Sequence, residues 1–433
     1  MKSLEEINEK ISRREAVVLT AEEFKQMIRD GETVTSESVD VVTTATCAIM
    51  SGTAAILSIP VAERDEFERA EWVWLNGVPA YPGPCPNERL GIVDVIVYGT
   101  THAATNREYG GGNLFREIVE GKEIEVRVKT NDNRIIERSV RKDDIEFARI
   151  ITTRSTFKNY MGFVNTKEGE IETIFSVTKL KGPYKEVSVS GCGAINPLEN
   201  DPQLRTIGVG TRILVNGAIG YVMGEGTRSS TEKPNLSVFA DMYEMDGEFM
   251  GGFITSKGPE CITSIAVPIP VIDEGILAGL KILDGDVKMP IADVSKRVPF
   301  TTSNYAKVWH ETDREIYFDA EKCTHHEVCN VERYCPTKAF SSLRGIDEDR
   351  CFNCCTCVPL CPADAFTGNC GKIEIEISEA SDPISIARPV SISIPITLRQ
   401  SNRKKANQLT EKLKKLIEEK EFFLTSPHSP EDC

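Results

Sequence analysis

The sequence predicts an α+β protein: an irregular mixed α/β domain interrupted near its C-terminal end by a small cysteine-rich insert. Short β-rich runs broken by glycine turns fill most of residues 1–319 and do not alternate cleanly with helices. Ten of the 14 cysteines lie from Cys323 onward. Strand patterning then resumes and ends in one amphipathic helix.

Residues 1–30 read as helix, because Leu4, Ile7 and Ile11, then Ala21 to Ile28, recur at helical spacing among charged residues. Strands are expected at Val39–Thr44, Val93–Tyr98, Ile124–Val128, Ile174–Lys179, Glu186–Ser190, Arg212–Val215 and Ile262–Pro268, where β-branched and aromatic residues cluster. Helices are expected at about 48–58, 113–120 and 142–149. Arg314–Asp319 reads as a strand, as do Lys372–Ile377 and Val390–Thr397, and Asn402–Glu419 as a helix with Leu409, Leu413, Leu416 and Ile417 on one face. The simplest organisation is a domain of residues 1–319, an insert of residues 320–371, and residues 372–425 returning to complete the first domain.

A net charge of −15, dispersed along the chain, argues against nucleic acid as a partner. The charged start is unlike a secretory signal, and the most apolar run, Ala48 to Ala62, is too short and too polar to span a bilayer. The expectation is a cytoplasmic protein without membrane contact, in which thiolate chemistry is favoured over disulfides.

Cys351-Phe-Asn-Cys354-Cys-Thr-Cys357-Val-Pro-Leu-Cys361-Pro362 has the C-x2-C-x2-C-x3-C-P spacing by which bacterial ferredoxins hold a [4Fe-4S] cluster. Cys335-Pro-Thr-Lys-Ala-Phe340 and Cys361-Pro-Ala-Asp-Ala-Phe366 repeat the motif C-P-x-x-A-F, the mark of a duplicated, two-cluster module. Under the crossed ligation of such modules, Cys335, Cys351, Cys354 and Cys357 hold a [4Fe-4S] cluster. Cys323, Cys329 and Cys361 are left for a second cluster, [4Fe-4S] or [3Fe-4S], with His325, His326, Cys355 or Cys370 as candidate fourth ligands.

Four cysteines precede the insert: Cys47, Cys85, Cys192 and Cys261. Val41–Cys47 followed by Ala48–Leu57 reads as strand, threonine-rich turn and helix. That places the Cys47 thiol at a helix N-terminus, where the dipole favours thiolate, and lets Thr44 and Thr46 cradle an anion. Cys192 stands between glycines in Ser190-Gly-Cys-Gly193, which reads as an accessible thiol. Arg154 and Arg212 are candidate clamps for an anionic substrate. His102 is a possible acid or base. Cys85, in a proline-rich loop, and Cys261 fit structural roles.

Thr43-Thr-Ala-Thr46, Leu75-Asn-Gly-Val-Pro-Ala-Tyr81, Tyr109-Gly-Gly-Gly112, Asn196-Pro-Leu-Glu-Asn-Asp-Pro202, Thr206-Ile-Gly-Val-Gly-Thr-Arg212 and Gly217-Ala-Ile-Gly-Tyr221 occur together. As a set they resemble the homocysteine-biosynthesis (HcyBio) family of archaea and anaerobic bacteria. With the cysteine-rich insert, the likeness is closer to its methanogenesis marker protein 16 branch. The resemblance implies an enzyme that converts an aldehyde, a sulfide equivalent and two electrons into a thiol. Family members make homocysteine from aspartate semialdehyde; the branch is thought to make 2-mercaptoethanesulfonate (coenzyme M) from sulfoacetaldehyde. The implied partners are a small anionic aldehyde, a sulfide or persulfide donor and an external low-potential electron donor. The homocysteine-forming members carry a cysteine after the Tyr-Gly-Gly-Gly motif, where this chain has Lys129–Arg134 without one. A second family cysteine is replaced near Ser51. Cys47 and Cys192 are therefore the candidate sulfur carriers, and the aspartate semialdehyde substrate is the weaker reading. A pure electron carrier that docks a partner complex, and a scaffold for iron–sulfur cofactor assembly, are the competing classes.

Overall fold

The computed structural model describes residues 2–83, 88–158, 160–378 and 389–427; Cys85 and Cys433 lie outside the described residues. The fold is mixed α/β, with large sheets and few helices. A 14-stranded sheet organises it. Val41–Ile49 pairs in parallel with Val18–Thr20 and antiparallel with Gly258–Pro270. The sheet continues through Arg212–Val215, Ala218–Glu225, Leu236–Asp241, Phe147–Ser155, Thr53–Pro60 and Ile92–Tyr98. Val41–Ile49 is buried along nearly its whole length, as expected of an interior strand covered on both faces. Thr53–Pro60 instead alternates buried and half-buried residues.

Two cores follow. One gathers Leu57, Val95, Leu114, Phe115 and Ile150. The other gathers Phe24, Cys47, Phe253, Leu409, Leu413 and Ile417. The last three come from the helix Arg403–Glu418, capped by Asn402, whose side chain accepts from the Lys405 N–H at 3.0 Å. That cap satisfies one of the free N–H groups of the first turn. A six-stranded sheet places Pro389–Arg399 between Val187–Val189 and Lys372–Ser378. The chain therefore rejoins the large body after residue 371, and the amphipathic helix packs across Val41–Ile49.

Several expectations fail, each for a local reason. The helix at 48–58 is absent: Val41–Ile49 and Thr53–Pro60 are both strands, joined by a turn at Met50–Gly52. β-branched residues and burial on both faces override the short helical periodicity. Residues 142–149 form only the 3₁₀ turn Lys142–Asp144 before the strand Phe147–Ser155. Ile174–Lys179 is irregular. Arg314–Asp319 contributes Tyr317–Phe318, which pairs with Phe366–Thr367 inside the insert and not with the large sheet. Tyr109–Gly112 is a packing device: the backbone of Gly111 runs so close that a Cβ would meet the Tyr98 carbonyl oxygen at 2.2 Å.

Candidate thiol site and cysteine-rich insert

Cys47 and Cys192 come from different sheets and meet. Cys47 lies within its strand, opposite Ser264. Cys192 follows Val187–Val189, in a loop fixed by three hydrogen bonds. Tyr305 Oη donates to the Ser190 carbonyl at 2.7 Å, Trp309 Nε1 donates to the Gly191 carbonyl at 3.0 Å, and the Gly191 N–H donates to Ser401 Oγ at 2.7 Å. The Cys192 thiol points at the Cys47 carbonyl at 3.8 Å, and Thr46 Oγ1 stands 3.7 Å from the Cys192 sulfur.

Neither thiol is accessible or activated in the way the sequence suggests. Both are fully buried. Burial, reinforced by the neighbouring Cys192, pushes the Cys47 pKa up to about 12, against weaker opposing effects of Ser264 and Lys405. Burial likewise raises Cys192. The reason is the missing helix: without its N-terminal dipole, desolvation dominates and disfavours thiolate. The flanking glycines of Cys192 bring in the Tyr160 ring and not solvent, since a Cβ on Gly191 would lie 2.6 Å from Tyr160 Cδ2.

Of the candidate substrate contacts, Thr46 reaches the site and Thr44 does not; its hydroxyl donates to the Val267 carbonyl at 2.9 Å, within the sheet. Arg154 stacks over Phe157 at 4.3 Å, and Phe157 packs edge-on to Tyr160 at 5.1 Å, so Arg154 is connected to the thiols through two rings. Arg212 stacks over Phe422 at 4.7 Å and takes no part in the thiol site. His102 is held by a contact between Nδ1 and the Ala103 carbonyl, also away from the thiols. Cys261 is buried. Lys129–Arg134 closes a hairpin, with the Thr130 N–H on the Arg134 carbonyl at 3.0 Å.

The insert gathers its cysteines in the two crossed sets. Cys335, Cys351, Cys354 and Cys357 line one cavity. Cys323, Cys329 and Cys361 line another, of about 150 Å³, together with His325 and His326. Backbone N–H groups point at sulfur in the first set: Ala339 N to Cys335 Sγ at 3.3 Å and Asn353 N to Cys351 Sγ at 3.5 Å. Burial raises Cys351, and raises Cys354 to about 12. Among the described residues no three His, Cys, Asp or Glu converge as ligands of a single ion; the ligands of a cube bind different irons and stand farther apart. Cys355 and Cys370 are joined to each other in a disulfide. This corrects both the expectation of no disulfide and their candidacy as fourth ligands. Their Cα atoms are 6.2 Å apart in the small core of the insert, within disulfide reach.

The insert docks directly behind the thiol pair. Phe352 meets Phe253 edge-on at 5.3 Å. The Arg399 N–H donates to the Cys354 carbonyl at 2.9 Å, and the Asn402 N–H to the Cys47 carbonyl at 2.8 Å. Three residues of chain, at most about 11 Å, thus separate the two anchor points. Lys405, nearly fully buried, donates to the Glu248 carbonyl at 2.7 Å, and its charge acts on both Cys47 and Cys351. Sequence reading missed Lys405 and Tyr160, since neither stands in a motif and only the tertiary fold brings them to the cysteines.

Two buried cysteines are thus strapped to a second, cysteine-dense unit. The family model described as "Homocysteine biosynthesis enzyme, sulfur-incorporation" matches residues 16–424, and the chain belongs to that family. It is 45% identical over 420 residues to an uncharacterized protein of Methanothermobacter thermautotrophicus, covering 97% of this chain and 94% of the relative. It is 41% identical over 414 residues to an uncharacterized protein of Methanocaldococcus jannaschii, covering 94% of this chain and 99% of the relative. It is also 33% identical over 308 residues to the L-aspartate semialdehyde sulfurtransferase of M. jannaschii, covering 68% of this chain and 58% of that protein. No solved structure gives a significant match. Among the described residues no helix is long and apolar enough to cross a membrane.

Proposed function

We propose that the protein is an iron–sulfur reductive sulfurtransferase that converts a small anionic aldehyde to a thiol, with sulfoacetaldehyde giving 2-mercaptoethanesulfonate as the favoured reaction. The observation that carries this reading is the strap Arg399–Asn402, which ties the Cys354 loop to Cys47. The family and the sulfurtransferases among the relatives support sulfur transfer to an aldehyde. The cysteine sets of the insert fit two clusters: Cys335, Cys351, Cys354 and Cys357 for a [4Fe-4S] cluster, and Cys323, Cys329 and Cys361 for a second, with His325 or His326 as fourth ligand. The directed N–H groups suit thiolate ligands.

When bound, the clusters supply electrons one at a time. The balance requires two: aldehyde, hydrogen sulfide, two electrons and two protons give thiol and water. Sulfide adds to the carbonyl carbon, water leaves to give a C=S bond, and two electrons with two protons reduce that bond. Where the sulfur comes from a persulfide donor, its outer sulfur passes by exchange to the Cys47 or Cys192 thiol, leaving the donor as a thiol. Two further electrons with two protons release it as hydrogen sulfide, so this route takes four electrons in all. Lys405 offsets part of the burial penalty when Cys47 sulfur becomes anionic. Thr46 positions Cys192, and Arg154 holds the anionic end of the substrate. The electrons enter from an external low-potential donor.

A second reading, aspartate semialdehyde to homocysteine, is favoured by the named activity of two relatives. Anaerobically reconstituted protein given sulfide and a low-potential reductant decides between them: sulfoacetaldehyde should be turned over faster than aspartate semialdehyde. No thiol from either aldehyde would leave a carrier or scaffold role, and an iron-free, colourless protein purified anaerobically would remove the iron–sulfur reading altogether. With a persulfide donor in place of sulfide, turnover undiminished in both Cys47→Ala and Cys192→Ala removes the persulfide step.

A further inference from the structure

We propose that Arg154, Arg228 and Arg297 together form the seat for the anionic end of the substrate, shaped for a head group with three terminal oxygens. This rests on the assignment of Arg154 above and adds two residues from distant segments. The Thr227 N–H donates to the Thr153 carbonyl at 2.7 Å, which sets Arg228 beside Arg154. Arg297 follows the strand Lys288–Asp293 and stacks over Phe175 at 4.9 Å. Both Arg228 and Arg297 are held at positive φ, at 62° and 56°, an uncommon conformation for arginine.

None of the three makes a salt bridge among the described residues, although the chain carries 66 Asp and Glu against 51 Lys and Arg. In so acidic a protein, unpaired arginines gathered at one place call for an anion from outside. The Arg154 Nε is buried without a partner. Burial, then the charges of Arg228 and Arg297, depress the Arg154 pKa. An anion seated there relieves both penalties.

The number of forks selects the ligand. A carboxylate has two oxygens and is satisfied by one bidentate guanidinium. Three guanidiniums match the three oxygens of a sulfonate or phosphonate. Phe157 and Tyr160 stand between Arg154 and Gly191, next to Cys192, so a short substrate anchored by its head group is held on the side of these rings away from the thiols until the rings shift.

The test is calorimetric titration of the full-length protein with ethanesulfonate, ethylphosphonate and propionate. Arg228→Ala and Arg297→Ala change exposed side chains, and circular dichroism checks that each variant is folded. The wild type should bind ethanesulfonate or ethylphosphonate, whichever is tighter naming the head group, and propionate roughly tenfold more weakly. Each single variant should lose roughly tenfold in affinity, and the double variant should lose binding. Equal affinity in the folded double variant, no binding of either three-oxygen anion by the wild type, or propionate binding as tightly, would overturn the proposal. Binding needs no turnover: if the anions bind but no thiol forms, the reaction assignment fails and the seat stands. If thiol forms while the arginine variants bind normally, the seat alone fails.

Discussion

The ion pair beneath the thiol loop gives the most quantitative handle on this architecture. Arg403 is fully buried, and its Nη1 reaches both oxygens of Asp284 at 2.8 and 2.7 Å. Asp284 Oδ1 also accepts from the Ala194 N–H at 2.8 Å, two residues after Cys192. Asp284→Asn leaves the buried guanidinium with Glu22 as its remaining carboxylate, and breaking a buried pair from one side costs about 3–5 kcal/mol. For 433 residues at about 2.1 cal/mol/K each, the unfolding entropy is about 0.9 kcal/mol/K, so the melting temperature should fall by about 3–6 °C. Replacing both partners by apolar residues, Asp284→Leu with Arg403→Met, should recover part of the loss, because the buried guanidinium goes with its partner while Glu22 keeps Arg314 and Arg29. The double variant also removes the acceptor of the Ala194 N–H, which Asn would keep, so alkylation of Cys192 should accelerate there relative to Cys261. Differential scanning calorimetry and mass-resolved alkylation measure the two effects. A shift below about 1 °C, or a double variant weaker than the single one, would refute the argument that this pair holds the thiol loop to the C-terminal helix.

Glu22 is the second carboxylate on Arg403; burial works against its charge, but Arg403 and Arg314 outweigh it and lower its pKa from 4.5 to about 2. A depressed carboxylate stabilises the fold fully above pH 4.5 and loses that contribution as pH falls through 2. Glu22→Gln should therefore flatten the stability curve in that acid window, by on the order of 3 kcal/mol, as followed by denaturation at stepped pH. Lys25 gives a rise of the same sign in a higher window: burial depresses it from 10.5 to about 7, so the unfolded chain binds more protons between those values and stability should rise with pH across them. Lys25→Met should abolish that rise. In the insert, Cys354→Ser should lower bound iron, whereas Cys355→Ser, which removes a cysteine paired with Cys370, should leave it unchanged by iron analysis. Leu409→Ala, at a fully buried contact of the C-terminal helix, should cost about 2–5 kcal/mol in chemical denaturation.

Much of the fold was legible where one local pattern met no opposition. Arg212–Val215 is a strand as its composition predicts, and the apolar stripe of Leu409, Leu413 and Ile417 lies on the buried face of Arg403–Glu418. The stretch after Cys47 misled because alanine-rich periodicity favours helix in isolation. There, hydrogen bonding along both edges of Val41–Ile49, to Gly258–Pro270 and to residues 400–402, prevails. The candidate site divides in the same way. Cys47, Cys192, Thr46 and Arg154 converge or connect, while Thr44 and Arg212 are used by local packing.

The chain alone determined what depends on short-range spacing: the grouping of the insert cysteines, the amphipathic closing helix and the family-specific turns. Cysteines on one loop are brought together by covalent geometry, which a linear motif records. Tertiary structure decided the protonation and the company of the two thiols. Their solvation depends on groups as far as 355 residues away in sequence, as when the Asn402 N–H meets the Cys47 carbonyl. Desolvation is a property of the assembled interior, and no local pattern encodes it.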